Sequence, residues 1–278
     1  MTSRLAALVQ GAIGRRLHGA SSLAGGCVGE VRSLDLDDGT RLVAKLGPGL
    51  GTESFMLNWL TENTRLPIPR QHYGGDDLII MDFIETSGPI AQEDAADHLA
   101  ALHEQTAAAY GFVRDTVIGS LPQPNPPTPR WVDFFRLHRL LPLARDSCEA
   151  GLLPTELRRR IDVLADRLEQ WLDEPAAPSL IHGDAWGGNL LCHKGRVAAF
   201  IDPAIYYADA EIELAFGTLF GTFDARFFAR YAEHRPLRPG FWEARRDILN
   251  LYPLLVHVRL FGGSYVEDVE GIVRRFVS

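Results

Sequence analysis

Cysteine is nearly absent from this chain. Three occur, Cys27, Cys148 and Cys192. So sparse and odd a set excludes a disulfide framework and points to a reducing, cytoplasmic compartment. Long apolar runs are missing too. None approaches the roughly 18 residues of a membrane span, so no membrane partner is expected. Basic charge is in deficit: the 278 residues carry 28 Lys and Arg against 36 Asp and Glu, a formal net charge of −8. A dedicated nucleic-acid binder would show a basic surplus or stripe, and that class is disfavoured. Nucleotide sites depend on local charge and stay open. The first 29 residues lack acid and include Arg4, Arg15 and Arg16, a composition that resembles a transit peptide. Leu5, Leu8 and Ile13 nevertheless share a helical face that runs straight into a glycine-rich loop, so an amphipathic first helix is the preferred reading. Internal repeats and low-complexity tracts are absent. What remains is a globular composition, 46% hydrophobic and 23% charged. The length suggests one large domain or two modest ones and needs no disulfide or metal staple.

The front of the chain is β-like. Asp38-Gly39 is a hairpin signal between Leu34-Asp35-Leu36 and Arg41–Lys45, and Gly25–Gly29 forms a glycine-rich loop before it. Glu53 to Leu60 predicts a helix, and Leu78–Met81 a buried strand. From about Ser87 the pattern turns helical. Glu93 to Tyr110 is Ala-rich with Leu99 and Leu102 on one face. Leu121 to Arg130 carries five prolines and predicts a loop, neither helix nor central strand. Leu157, Ile161, Leu164, Leu168 and Leu172 predict a helix ended by Pro175 and Pro178. Ser179 to Ile201 returns to short strands around a Lys194-Gly195 turn, and the tail from Phe241 is helical. The fold class expected is α+β: a β-rich lobe over residues 1–84, a helical lobe over 85–278, a linker near Asp82–Gly88 and a ligand cleft between them.

The chemistry concentrates in Ile181-His182-Gly183-Asp184-Ala185-Trp186-Gly187-Gly188-Asn189, followed by Ile201-Asp202-Pro203. Phosphoryl transfer needs a carboxylate to accept the proton of an attacking hydroxyl, and oxygen ligands for a Mg²⁺ that bridges phosphates. Asp184, Asn189 and Asp202 have the order and spacing protein kinases use for these tasks. A polar turn before a strand would explain His-Gly-Asp but not the joint spacing. Upstream, Lys45 closes an apolar strand, where a lysine can pair with the α/β-phosphates of ATP. Glu53 opens the next helix and can hold that lysine. Each alone would read as a solvated charge; in this order the pair is catalytic machinery. Asp82, Phe83 and Ile84 form the hinge, with the Asp82 carbonyl and Ile84 amide toward adenine. Backbone amides of Gly25 and Gly26 are placed to cover phosphates.

His182 to Asn189 resembles the HGDxWGGN signature of the fructosamine kinase, or ketosamine-3-kinase, family, and Asp202 to Glu211 resembles its DPAxYYxDxE signature. Ile118-Gly119-Ser120, Pro122-Gln123-Pro124-Asn125, Trp131, Phe134-Phe135, Leu219-Phe220-Gly221 and Leu260-Phe261-Gly262-Gly263 also match. The likeness runs from about residue 20 to 275. It implies a protein-kinase-like fold and ATP- and Mg²⁺-dependent phosphorylation of a sugar hydroxyl on a ketoamine, free or lysine-linked, in deglycation. By position it makes Asp184 the proton acceptor, Asn189 and Asp202 the metal ligands, Lys45 and Glu53 the phosphate-side pair, and Asp82 to Ile84 the adenine wall. The sequence departs from the family in the short, glycine-rich segment between Lys45 and Glu53 and in the stiff Pro126-Pro127.

Other residues carry two readings each. Trp186 either stacks on the sugar or its amine, or packs to fix the catalytic loop. Tyr206, Tyr207, Asp209 and Glu211 read as braces of the metal loop, and His103 as a core histidine near the catalytic loop. Cys27 is either an inert small residue or a redox-sensitive thiol whose pKa the glycine-rich loop draws down. Two other functions compete: a kinase for an aminoglycoside-like or choline-like amine, and a nucleotide-binding module without turnover. The second would ordinarily lack one of Lys45, Asp184, Asn189 and Asp202. Monomer and homodimer both stay open.

Overall fold

Alternation along one strand decides where the charges of the small lobe go. The protein was analysed as a computed structural model that describes residues 2–23 and 29–277. After helix α1 (Thr2–Ile13) come β1 (Leu17–Ser22), β2 (Glu30–Leu36), β3 (Arg41–Leu46), helix α2 (Gly51–Asn63), β4 (Gln71–Gly74) and β5 (Leu78–Asp82). The five strands form one antiparallel sheet in the order β1-β2-β3-β5-β4. Successive side chains on a strand point to opposite faces. Leu42 and Ala44 of β3 therefore join Leu34, Leu36, Leu78 and Ile80 on the face that α1 covers. Val43 and Lys45 point the other way. There Val43, Ile79 and Met81 pack with Leu50 and Leu57 at the start of and within α2. The sheet thus delivers Lys45 to the helix that carries Glu53.

The expected hairpin at Asp38-Gly39 is present, with Gly39 at φ +80°. Helix α1 is present as well, but its buried stripe is Leu5 and Val9, with Ile13 partly covered, while Leu8 is 40% exposed. A spacing of four matches one face of the helix better than the expected step from Leu5 to Leu8. Strands β1 and β4 were not expected. Both lie at sheet edges and bury no residue, so neither shows the alternation that marks a half-buried strand.

The large lobe runs α3 (Gln92–His103), β6 (Thr116–Ile118), β7 (Leu121–Gln123), α4 (Trp131–Phe135), α5 (Leu141–Glu149), α6 (Thr155–Ala165), β8 (Ser179–Ile181), β9 (Leu190–His193), β10 (Arg196–Phe200), β11 (Tyr206–Ala208), α7 (Glu211–Leu219), α8 (Ala225–His234), α9 (Arg246–Phe261) and α10 (Tyr265–Phe276). A wide helical turn joins α4 to α5 and another precedes α9. Helix α3 stops at His103, seven residues short of Tyr110. The backbone beyond it bonds elsewhere: Leu180 donates to the Gln105 carbonyl, Thr106 bridges Ser179, and Gly111 bridges Tyr207. The stripe from Leu157 to Leu172 is helical only to Ala165 and continues as one tight turn, Leu168–Gln170. The proline segment begins as strand β7, where Pro122 sits opposite Val117 in a two-stranded pair. A proline is tolerated there because its missing N–H faces away from the only partner. Lys194 and Gly195, at φ +49° and +76°, turn β9 into β10.

The core of the large lobe is continuous from Trp131, Phe134 and Phe135 through Ile161 and Leu164 to Leu249 and Leu255. No helix among the described residues is long and apolar enough to cross a membrane. Leu34, fully buried in the small lobe, tests how far that lobe depends on its α1-covered face. Leu34→Ala should lower stability by about 2–5 kcal/mol. Chemical denaturation should record this as a lower midpoint with an unchanged slope.

Candidate active site

The turn between β3 and α2 is four residues long, Gly47 to Leu50. Gly47 and Gly49 take positive φ, +157° and +77°, and the Leu50 N–H donates to the Asp76 carbonyl. These conformations fold α2 back over β3 at once. The short segment thereby brings Glu53 onto Lys45 rather than away from it. Lys45 Nζ lies 2.6 Å from Glu53 Oε2 and 3.0 Å from Asp202 Oδ1. Both ends of the Lys45–Glu53 pair are buried. Burial alone would lower the Lys45 pKa; Asp202 and Glu53 outweigh it and hold the ammonium above its ordinary value. Burial pushes Glu53 up to about 7, against the pull of Lys45 and with the help of Asp202. Glu53 Oε1 is buried without a hydrogen-bond partner.

Asp202 reaches the lysine from the large lobe with its backbone at φ +52°. Non-glycine residues seldom adopt that region, and those that do cluster at functional sites. The turn is tied on both sides: Ile201 N–H donates to the Asn189 carbonyl, and Ala204 N–H to the His182 carbonyl. Asn189 Nδ2 donates to Asp184 Oδ2 at 2.8 Å and to the Asp184 carbonyl at 2.9 Å. Burial, reinforced by the Asp202 charge, pushes the Asp184 carboxyl well above its ordinary range. Gly183 makes this approach possible. It sits at φ +84°, and a Cβ there would lie 2.1 Å from the Ala204 carbonyl oxygen. Glu53, Lys45 and Asp202 are thus joined through their side chains, Asn189 and Asp184 through theirs, and the Ile201 N–H on the Asn189 carbonyl ties the two groups together. Trp186 follows Asp184 by two residues and is 36% exposed. Its ring lies against Gly188, where a Cβ would come within 2.5 Å of it.

Asp82 to Ile84 stand where β5 leaves the sheet. Asp82 pairs with Leu42 and its carboxylate lies 2.6 Å from His72 Nε2, while the Arg41 guanidinium sits over the Phe83 ring. Gly25, Gly26 and Cys27 lie outside the described residues, so neither the phosphate-loop nor the redox reading meets a structural observation.

A profile of the fructosamine kinase family matches residues 1–278. The chain belongs to this family. It is 33% identical to a probable ketoamine kinase of Synechocystis, over 94% of this chain and 90% of that one. It is 32% identical to a chloroplastic protein-ribulosamine 3-kinase of rice, over 93% and 78%. A solved structure assigned as a fructosamine-3-kinase of Thermobifida fusca superposes with a TM-score of 0.86 at 31% identity, covering 97% of this chain and 98% of that one. An aminoglycoside phosphotransferase at 16% identity and a TM-score of 0.67 shares the protein-kinase-like fold. Membership makes the chain a kinase, a phosphotransferase with an alcohol acceptor and ketosamines as its substrate class.

The loop from His182 to Asn189 is braced from behind by Glu213, to which the sequence reading gave no role. Glu213 in α7 is buried, accepting from the His182 N–H at 3.0 Å, the Gly183 N–H at 2.6 Å and His103 Nε2 at 2.9 Å. His103 in turn lies 2.7 Å from the Tyr231 hydroxyl, in the core position expected for it. The signal for Glu213 was present, an acid enclosed in the apolar run Ile212–Phe216. Among the described residues Asp209 and Glu211 form no hydrogen bond or ion pair with the Asp202 turn they were expected to brace. They bind Arg238 and Arg245 further along the chain. Tyr206 and Tyr207 lie in β11 and pair with β8, which leads into the catalytic loop. The Asp202 turn is held by Gln123, whose Nε2 donates to the Ala204 carbonyl at 3.0 Å while its Oε1 accepts from the Tyr252 hydroxyl at 2.6 Å. Gln123 stood in the proline segment and within the Pro122-Gln123-Pro124-Asn125 match, with no role of its own assigned.

Burial alone would raise the Glu213 pKa, but its hydrogen bonds and the charges of His103 and His182 hold it below the ordinary value. A depressed carboxyl stabilises the fold at neutral pH, and that contribution is lost as pH falls from the unfolded value, near 4.5, through the folded one. Glu213→Gln should therefore cost about 1–3 kcal/mol at pH 7. The gap from wild type should shrink as pH falls below about 4. Urea midpoints at the two pH values test this; an equal gap at both would remove the linkage.

Proposed function

We propose that this protein transfers the γ-phosphoryl group of ATP to a sugar hydroxyl of a ketoamine, with Asp184 as the proton acceptor. The linkage of Glu53, Lys45 and Asp202, tied through the Ile201 backbone to the Asn189–Asp184 pair, is the observation that carries the reading. It joins the small and large lobes through Lys45 and Asp202, and so sets a phosphate-side cation beside a hydroxyl-side base. Phosphoryl transfer asks a protein mainly for positioning and charge stabilisation. Asn189 holds Asp184 Oδ2, which leaves Oδ1 to accept the hydroxyl proton as the oxygen attacks. Lys45, positioned by Glu53, takes the α/β-phosphates. The Asp82 carbonyl and Ile84 amide take adenine, and Gly25 and Gly26 cover the phosphates.

Mg²⁺ is part of this reading. Its ligands are hard oxygens supplied sparingly by protein, with phosphates and water completing the octahedron. Asp202 and Asn189 fit that pattern. Asn189 turns its amide nitrogen to Asp184, which leaves its Oδ1 for a metal. No group of three or more His, Cys, Asp or Glu among the described residues forms a dedicated metal cage. When bound, the ion neutralises charge on the β- and γ-phosphate oxygens. The cleft supports a cation on charge alone, since Glu53, Asp184 and Asp202 share the single ammonium of Lys45.

The rest of the reading concerns setting. The lobe boundary is placed at Ile84, between β5 and α3. Phosphate at the third sugar carbon leaves more readily than hydroxyl, and the adduct then releases its amine, which gives the reaction its deglycating role. Ribulose- and fructose-derived adducts, free or lysine-linked, are the acceptors. A cytoplasmic location, no nucleic-acid partner, and a monomer or homodimer complete it.

Asp184→Asn should cut kcat by about 10²–10⁴, the range expected for loss of a positioned general base, with ATP affinity by calorimetry nearly unchanged. Full turnover in the mutant would remove the role assigned to Asp184. Asp202→Ala should abolish the Mg²⁺ dependence of nucleotide binding. Binding that still rises with Mg²⁺ would place the metal elsewhere. The assay is ADP release with ribulose-lysine and with fructose-lysine.

A further inference from the structure

Few large apolar side chains are exposed among the described residues, and three that are belong to one strip. Trp186, Phe220 and Phe261 are 36%, 40% and 55% exposed. Trp186 meets Phe220 edge-on with ring centroids 6.0 Å apart. Phe220 meets His257 at 5.1 Å, and His257 meets Phe261 at 5.7 Å and Tyr265 at 4.9 Å. The strip draws on the catalytic loop, the end of α7, the end of α9 and the start of α10. Its ring-to-ring spacing is that of directly packed aromatics. Contiguous exposed apolar surface rimmed by polar residues marks ligand or partner sites.

His257 adds one polar atom of fixed character. Its Nδ1 lies 2.7 Å from the Pro253 carbonyl. A carbonyl can only accept, so Nδ1 carries the proton. Burial holds the ring below the ordinary histidine pKa, so Nε2 presents a lone pair. The strip therefore combines aromatic faces with one hydrogen-bond acceptor and suits a methylene chain or an ammonium group.

We propose that this strip is the subsite for the amine half of the ketoamine, and that it favours amines carrying an alkyl chain of lysine length. The inference rests on the function proposed above. That reading fixes the sugar hydroxyl at Asp184 and assigns Lys45, Glu53 and Asp202 to the phosphate side. The amine half must then leave the cleft along surface that adjoins Asp184 elsewhere. Trp186 adjoins it: its backbone N–H donates to the Asp184 carbonyl at 3.0 Å, and the other four aromatics form a chain of contacts that starts at its ring. The ketoamine nitrogen is a secondary ammonium, which an aromatic face attracts, and the methylenes beyond it cover apolar surface. His257 Nε2 accepts from an N–H beyond the methylenes, such as the amide of an acylated lysine.

The test compares two ketoamines of one sugar, the first built on methylamine and the second on Nα-acetyl-lysine. Wild type is measured beside Phe261→Ala, His257→Ala and, as a control, Trp242→Ala, an exposed aromatic at 44% that is not part of the strip. Both strip variants should lose roughly fivefold to tenfold in kcat/KM on the lysine adduct, through KM. They should stay within about twofold of wild type on the methylamine adduct, which also reports that they fold. Trp242→Ala should match wild type on both. Equal losses on the two substrates, or none on either, would overturn the subsite while leaving the kinase reading intact. Wild-type protein inert toward every ketoamine would overturn that reading, and the subsite with it.

Discussion

Three carboxylates and one ammonium share the floor of the cleft, and most of the structure around them exists to hold that imbalance in place. Lys45 is bonded to Glu53 and to Asp202 at once, so a single cation ties a strand and a helix of the small lobe to a loop of the large one. Burying like charges together is unfavourable unless opposite charge compensates them. The surplus is visible in the raised Glu53 and Asp184 carboxyls and in the unpartnered Glu53 Oε1. Such a site is stable only if its members cannot drift apart. Several positive-φ residues help to hold them: Gly47 and Gly49 before α2, Gly183 under the Ala204 carbonyl, and Asp202 itself.

The charged residues were legible in the sequence because phosphoryl transfer demands particular side chains in a particular order. Their signals are chemical and local, and a spacing of five residues between Asp184 and Asn189 survives translation into geometry without knowledge of the fold. The hairpin at Asp38-Gly39 and the helix carrying Glu53 were legible for the same reason. Supporting residues were not. Gln123 acts through an amide on a carbonyl 81 positions away, and Glu213 through two backbone amides about thirty positions away. Neither relation leaves a period or a motif. Edge strands β1 and β4 left no buried alternation, and α3 was read seven residues too long because alanines favour helix wherever backbone partners elsewhere do not compete.

A fold shared with aminoglycoside phosphotransferases does not choose an acceptor. The parts that handle phosphate depend on charge, and charge at fixed separation can be kept on any chain that folds this way. The rings of the strip that begins at Trp186 come instead from the 182–189 loop, the end of α7 and the junction of α9 and α10. Phe220 and Phe261 are exposed, so they can change without disturbing the core.

The burial of Lys45 has a further consequence. The chain contains only two lysines, Lys45 and Lys194. Glycation begins when an exposed, unprotonated amine attacks the carbonyl of a reducing sugar. Lys45 is 4% exposed and its ammonium is held above its ordinary pKa, so it is doubly withheld from that reaction. Lys194, in the exposed turn after β9, is the only lysine side chain left on the surface. An enzyme that works on sugar-modified amines thus offers almost no lysine on which the same damage could begin, and its other lysine lies beneath two carboxylates.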